Sequence, residues 1–124
     1  MVTMAHSESP WSPFKAHPRN SILIHRDRAE LPLQATGHSD LVQAEAGHWW
    51  MVLFGVRPLA RQHHLGRETL LRPVDWDAEG WLSVNNGQPL QEHMTATGLP
   101  AAKKWFAAPI PDEFNASQLV VLEG

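Results

Sequence analysis

Two short motifs hold the residues with the clearest capacity for chemistry. Arg67 lies in Gly-Arg-Glu-Thr, and its permanently charged guanidinium offers several N–H donors in a fixed fork, which suits a ligand rich in hydroxyl groups. Its charge would also keep neighbouring carboxylates ionised. His38 lies in Gly-His-Ser-Asp, directly before an apolar stretch. By residue type alone, the more common roles are a surface ion pair for Arg67 and a hydrogen-bonded core position for His38.

The carboxylates beside these motifs do not form an obvious acid–base pair. Strand alternation turns Glu68 away from Arg67, which makes Glu68 a poor general acid. The same alternation puts Asp40 on the face of His38. We expect a structural hydrogen bond for Asp40; the alternatives are that it orients His38 or pairs with Arg57.

The histidines do not predict a dedicated metal centre. The chain has eight histidines and no cysteine, so thiolate metal sites and disulfides are excluded. His63 and His64 are adjacent and would point to opposite faces of a strand. No pair lies at i, i+4 on a convincing helix, so a zinc site is not expected.

Composition excludes several classes of protein. The 124 residues suffice for one ordinary domain, with 43% hydrophobic and 19% charged residues. The net charge of −3 gives no basic surface for nucleic acid and no polybasic membrane patch, so neither partner is expected. No apolar run reaches the roughly 18–20 residues that span a bilayer. The first ten residues lack a signal-peptide pattern, which favours a cytoplasmic location if Met1 is the natural start and otherwise leaves localisation unknown.

The elements that would position Arg67 and His38 are predicted to be strands. Ten prolines and eight glycines cut the chain into short segments, and no window shows helical periodicity. Four strands in meander order are predicted between Gly37 and Val84, and the length of this segment is close to the about 40–45 residues of a propeller blade. The four strands are predicted over 39–44, 48–56, 67–74 and 81–84, with an earlier strand over 1–5.

The ordered series of motifs resembles the last blade of glycoside hydrolase family 43, the β-xylosidase and α-L-arabinofuranosidase family. The stretches that carry the resemblance are 36–42, 49–58, 64–69, 73–76 and 80–81. The segments 2–5, 13–14, 18–20 and 22–26 are similar to the outer part of the preceding blade. The resemblance covers roughly residues 2–90 and implies an all-β fold, a partial five-bladed β-propeller. Residues 1–90 are therefore expected to form the C-terminal part of a glycosidase propeller.

The resemblance also implies an activity and two site residues. Family members hydrolyse xylo- or arabino-configured glycosidic bonds with inversion, using an acid glutamate, a base aspartate and a third carboxylate; inversion needs acid and base roughly 6.5–9.5 Å apart. Those carboxylates lie in earlier blades, and none of their motifs occurs in this sequence, so the chain is expected to be an incomplete enzyme that is inactive alone. Arg67 matches the arginine that reaches the sugar, and His38 matches the histidine at the propeller axis.

Cofactors, partners and the tail follow from the same resemblance. No cofactor is required, although a calcium ion at the propeller axis could lie near His38 through water, because calcium prefers oxygen ligands. The expected partners are a xylo- or arabino-oligosaccharide and, through open blade faces, other copies of the chain. Residues 91–124 are expected to form a tail leading towards an appended β-sandwich domain, with strand pieces at 103–106 and 117–122, a linker at 107–112 and the first sandwich residues at 112–115.

Two other hypotheses remain open at this point. The chain could be a non-catalytic carbohydrate-binding or interaction module that reuses a propeller blade. It could also be a small independent β-barrel or sandwich whose motif matches are chance. The preference for xylose or arabinose is undecided, because most of the discriminating pocket residues would lie in other blades.

Overall fold

The computed structural model describes residues 1–64 and 66–101. Within this part the regular elements are six β-strands and one short 3-10 helix, and no helix is long or apolar enough to cross a bilayer. The tail elements predicted beyond residue 101 lie outside the described residues. The strands are β1 (Ala5–His6), β2 (Lys15–Ala16), β3 (Gln34–Gln43), β4 (Trp49–Val56), β5 (Arg67–Trp76) and β6 (Leu82–Val84), and the 3-10 helix is Asn85–Gly87.

Strands β3 to β6 form one antiparallel sheet in the order β3-β4-β5-β6, which confirms the predicted meander. Tight turns close it at the expected places. Gly47, with φ +82°, turns the chain between β3 and β4, where the Gly47 N–H donates to the Ala44 carbonyl. Between β5 and β6 the Asp77 carboxylate accepts the Glu79 and Trp81 N–H groups at 3.0 and 2.8 Å, as aspartate commonly does in turns.

The predicted strand over residues 1–5 is only partly correct. Val2 forms an isolated bridge with Leu23, and regular pairing begins at Ala5, the first residue of β1. At Met4, between Val2 and Ala5, the side-chain amide of Asn20 binds the backbone where a neighbouring strand would otherwise pair. It accepts the Met4 N–H and donates to the Met4 carbonyl, both at 2.9 Å. A side chain that satisfies the backbone in this way ends the ladder.

The hydrophobic core lies on one face of the four-stranded sheet. β4 contributes Met51 and Leu53, and side chains from β5 and β6 continue the same face. Burying each such side chain contributes roughly 1.5–3 kcal/mol. The buried members of the core are Leu23, Leu33, Met51, Leu53, Val74, Leu82, Val84 and Leu90.

The small β1–β2 sheet is attached to the large sheet through Trp81, which is only 3% exposed. The imidazole of His6 stacks on the indole with ring centroids 3.8 Å apart, and His17 meets it edge-on at 5.0 Å. Lys15 lies over the same indole at 5.9 Å. Trp81 is therefore a packing residue between the two sheets.

A segment after the 3-10 helix crosses back over the core; we call residues 90–92 the strap. Leu90 is fully buried, and its N–H donates to Nε2 of His25 at 3.0 Å, while Nδ1 of His25 lies 2.7 Å from the Leu33 carbonyl. Arg72 donates to the Gln91 carbonyl. Burial lowers the pKa of the Arg72 guanidinium, because desolvation disfavours the charged form.

Candidate functional site

The two residues singled out by sequence converge on one aromatic ring. The imidazole of His38 stacks against the phenyl ring of Phe54, with centroids 5.2 Å apart and planes 27° apart. The guanidinium carbon of Arg67 lies 5.1 Å from the centroid of the same ring, within the range of a cation–π contact. We call His38, Phe54 and Arg67 the Phe54 cluster.

Two β-bulges in β3 bring His38 to this position. Gln34 pairs with Val56, Gly37 with Phe54 and Asp40 with Val52, so β3 holds one extra residue in each interval. His38 has φ +50°, a left-handed conformation that is uncommon for residues other than glycine and characteristic of bulges and functional loops. The irregular backbone thereby turns the His38 ring onto Phe54.

Arg67 reaches the ring because of the register between β4 and β5. Val56 pairs with Arg67 and Phe54 with Thr69, so these side chains share the sheet face opposite the core. We call it the second face; it also carries Val52 and Leu71. Arg67 is exposed and, among residues 1–64 and 66–101, forms no ion pair. The surface ion pair considered for Arg67 is therefore not found in this part of the chain.

Glu68 points away from the Phe54 cluster, as alternation predicts. Its two carboxylate oxygens accept from Nε and Nη2 of Arg57, each at 3.1 Å. The Nη1 group of Arg57 also donates to Glu92 of the strap at 2.7 Å. These bonds, first those to Glu68 and then the charges of both glutamates, raise the pKa of the Arg57 guanidinium above its ordinary value. Glu68 is thus held in an ion pair.

Asp40 takes the structural role that we expected. Its carboxylate accepts the Leu41 N–H at 2.8 Å, and Arg57 pairs with Glu68 and Glu92 rather than with Asp40. Asp40 pairs with Val52 and so lies on the second face with the His38 ring. The shared face arises from the bulge, however, and not from regular alternation.

The surroundings of His38 offer few ligands for a metal ion. No three histidine or acidic side chains come together within the described residues, and the Asp40 carboxylate already accepts a backbone N–H. These residues do not by themselves form a calcium site, since calcium takes about 6–8 oxygen ligands. An ion near His38 would need ligands from water or from outside this part of the chain, and its presence stays a prediction.

Sequence reasoning missed the central member of the cluster. Phe54 lies in an apolar run that packing alone explains, so its residue type did not indicate a binding site. The pairing of Phe54 with Gly37, next to His38, is visible only once the bulge is known. Arg57 and Glu68 were each considered, but their mutual pairing was not.

Comparisons with known proteins agree with this architecture. The sequence profile of the family described as "Glycosyl hydrolases family 43" matches residues 1–82. A non-reducing end α-L-arabinofuranosidase of Bacteroides ovatus is 42% identical over 114 residues, which is 91% of this chain and 21% of that protein. A xylosidase/arabinosidase of Humicola insolens is 37% identical over 87 residues, 68% of this chain and 16% of that protein.

Solved structures give the same result for the fold. The crystal structure of a xylan β-1,4-xylosidase from Bacillus halodurans superposes with a TM-score of 0.78 and 34% identity, covering 94% of this chain and 23% of that one. The chain thus spans about a fifth of the length of the relatives that it matches. Those relatives are five-bladed β-propellers. The chain belongs to glycoside hydrolase family 43, and its all-β structure is a partial propeller of that family.

Proposed function

We propose that this chain is the sector of a glycoside hydrolase that contacts a xylo- or arabino-configured sugar. The observation that carries the proposal is the convergence of His38 and Arg67 on Phe54 in a chain of family 43. Relatives that cover most of this chain are named as an arabinofuranosidase and a xylosidase/arabinosidase. The substrate class is inferred from those names.

The chemistry of the Phe54 cluster supports sugar binding. Arg67 supplies charged N–H donors for sugar hydroxyl groups, and the Phe54 ring, flanked by His38, is an apolar surface against which the C–H groups of a pyranose or furanose can pack. The charge of Arg67 would in addition keep a nearby base carboxylate ionised. In this proposal Arg67 and His38 bind substrate, and neither transfers a proton.

The proposal assigns the acid and base carboxylates to residues outside this chain. Glu68 is held by Arg57 on the opposite side of β5, and Asp40 accepts a backbone N–H. Glu68 is therefore not available beside the Phe54 cluster as a general acid, and Asp40 alone cannot supply the two carboxylates that an inverting pair needs on either side of the sugar. The chain alone is therefore expected to bind sugar without hydrolysing it.

Hydrolysis and binding assays on the purified 124-residue chain test the two parts separately. We expect no release of 4-nitrophenol from 4-nitrophenyl β-D-xylopyranoside or α-L-arabinofuranoside, together with saturable binding of xylobiose or methyl α-L-arabinofuranoside by NMR titration. Sustained turnover of either aryl glycoside would refute the assignment of the carboxylates. Failure of both sugars to bind would refute the role of the Phe54 cluster.

A second function is favoured by the commitment of Glu68 and Asp40 to structural contacts. A chain that presents an exposed Arg67 beside an aromatic ring, with both neighbouring carboxylates engaged, has the features of a non-catalytic carbohydrate-binding module. Sugar binding by a well-folded monomer, with no gain of hydrolysis when the other propeller blades of a family 43 relative are added, would favour this function over an enzyme sector.

Self-association is the third component of the proposal. The second face of the sheet carries partly exposed apolar side chains at Val52, Phe54 and Leu71, and Val42 is 46% exposed beside them. An apolar sheet face of this kind is a common protein-interaction surface. We propose a second copy of the chain as its occupant when the chain is studied alone, in competition with a sugar at the Phe54 cluster on the same face.

A further inference from the structure

We propose that Arg57 is a positioning residue for Arg67. The inference deepens the proposed function, since it concerns how the Phe54 cluster is held in its binding geometry. Arg57 lies on the opposite face of the sheet from the cluster. It acts on the cluster only through Glu68, the residue next to Arg67 in β5. It is therefore a residue that orders the site without contacting the sugar.

The first step of the argument is the position of Arg67 at a strand end. It is the first residue of β5 and pairs with Val56, the last residue of β4. The connection between the two strands contains Ala60 and Arg61 in left-handed conformations. Strand ends beside such connections open more readily than strand centres. An arginine with four flexible side-chain bonds at this place needs a fixed backbone to present its guanidinium in one direction.

The second step is the clamp formed by Arg57 and Glu68. Two parallel bonds of 3.1 Å join Nε and Nη2 of Arg57 to the two oxygens of Glu68. This bidentate geometry fixes orientation as well as distance. Arg57 directly follows β4 and Glu68 directly follows Arg67, so the clamp ties the two strand ends together at the point where the Arg67 side chain leaves the sheet.

The third step is the connection to the strap. Nη1 of Arg57 donates to Glu92 at 2.7 Å, and the two residues before Glu92 are fixed by His25 and Arg72. All three side-chain nitrogens of Arg57 therefore donate to the carboxylates of Glu68 and Glu92. Glu68 is fixed by the pairing of β4 with β5, and Glu92 follows the two fixed residues of the strap. Exposed ion pairs contribute little to folding stability, so the expected effect of Arg57 is on the placement of Arg67 and not on unfolding.

An NMR experiment on the full chain tests this placement directly. The readout is the nuclear Overhauser effect between the Arg67 side chain and the Phe54 ring protons, which requires no ligand. We expect it to be lost in Arg57→Met and in Glu68→Gln, weakened in Arg57→Lys, which keeps the charge but not the fork, and retained in Glu92→Gln. Arg61→Met, at an exposed arginine of the same connection, is the matched control and should retain it.

Sugar affinity provides the second readout. Arg57→Met should weaken xylobiose binding about threefold to tenfold in the wild-type background and leave it unchanged in an Arg67→Ala background. Retention of the Arg67–Phe54 contact in Arg57→Met, or an equal loss of affinity in both backgrounds, would overturn the inference. A third outcome separates the two proposals. If the Arg67–Phe54 contact depends on Arg57 but the chain binds neither xylobiose nor methyl α-L-arabinofuranoside, the proposed function is refuted and the positioning role stands.

Discussion

The imidazole of His38 in β3 and the phenyl ring of Phe54 in β4 stack with their centroids 5.2 Å apart, and two bulges interrupt the pairing of β3 with β4 on either side of Gly37. The bulged backbone of β3 creates this contact, because a regular strand would not turn residue 38 onto the ring. Arg67 then reaches the same ring from β5. Phe54 is thus the structural centre of the candidate site, and several expected outcomes depend on it.

Replacing Phe54 should affect stability and ligand binding together. The side chain is half-buried, so Phe54→Ala should reduce the free energy of unfolding by about 1–3 kcal/mol, less than the 3–5 kcal/mol of a fully buried phenylalanine. It should also abolish detectable xylobiose binding. Urea unfolding and NMR titration measure the two effects. Phe54→Leu, which keeps apolar volume without a flat ring, should recover most of the stability and little of the binding. Unchanged sugar affinity in Phe54→Ala would contradict the model of the site.

Replacing Arg67 should affect binding alone. The guanidinium is exposed and forms no ion pair within the described part of the chain, so Arg67→Ala should change the free energy of unfolding by less than about 0.5 kcal/mol. Loss of charged hydrogen bonds to a sugar should weaken binding about tenfold or more. Arg61→Ala is the control and should leave both quantities unchanged. A large stability loss in Arg67→Ala would show that its role is structural.

His25 should be essential for the docking of the strap. Both of its ring nitrogens are engaged, with the Leu90 N–H and the Leu33 carbonyl, and the ring is buried. His25→Ala leaves both backbone groups without a partner and opens a cavity, so we expect a loss of at least about 2 kcal/mol in the free energy of unfolding. The exposed His64 provides the control, since His64→Ala should be neutral. Equal stabilities of the two variants would contradict this account of the strap.

Self-association should depend on the second face. The sedimentation coefficient of the wild-type chain should rise with protein concentration, and Val42→Lys should suppress that rise by placing a charge on the exposed apolar surface. Leu59 is more exposed, at 68%, but lies in the β4–β5 connection, so Leu59→Lys should behave like the wild type. If Leu59→Lys and Val42→Lys act alike, the second face is not the interface.

Strands β4, β5 and β6 could be predicted well from the sequence, whereas β3 begins at Gln34, ahead of the predicted start at residue 39. The apolar run that became β4 and the turn residues on either side of it define the meander by local pattern alone, and residues 49–56 match the predicted strand to within one residue. Trp81 likewise behaves as a packing residue. Local signals of this kind depend on neighbouring residues only, which is why a single sequence reveals them.

The features that the sequence did not reveal arise from pairing between distant segments. The extra residues of β3 can be recognised only when β3 is aligned with β4. Ala35 and His38 adopt left-handed conformations that their residue types do not predict. The sequence suggested only Asp40 as a partner of Arg57, and the pairing of Arg57 with Glu68 became visible once β4 and β5 were aligned. The strand predicted over 1–5 is only partly present for a similar reason, because the amide of Asn20 binds the backbone of Met4.

The measurement that tests the central claim most directly is a chemical-shift titration of the isotopically labelled chain with xylobiose and, separately, with methyl α-L-arabinofuranoside. We predict that His38, Phe54 and Arg67 shift together along one binding curve with at least one of the two sugars, while the strap and the β1–β2 hairpin remain unperturbed. Shifts confined to other surfaces, or a response of Arg67 without His38 and Phe54, would contradict the assignment of these three residues to a single sugar site.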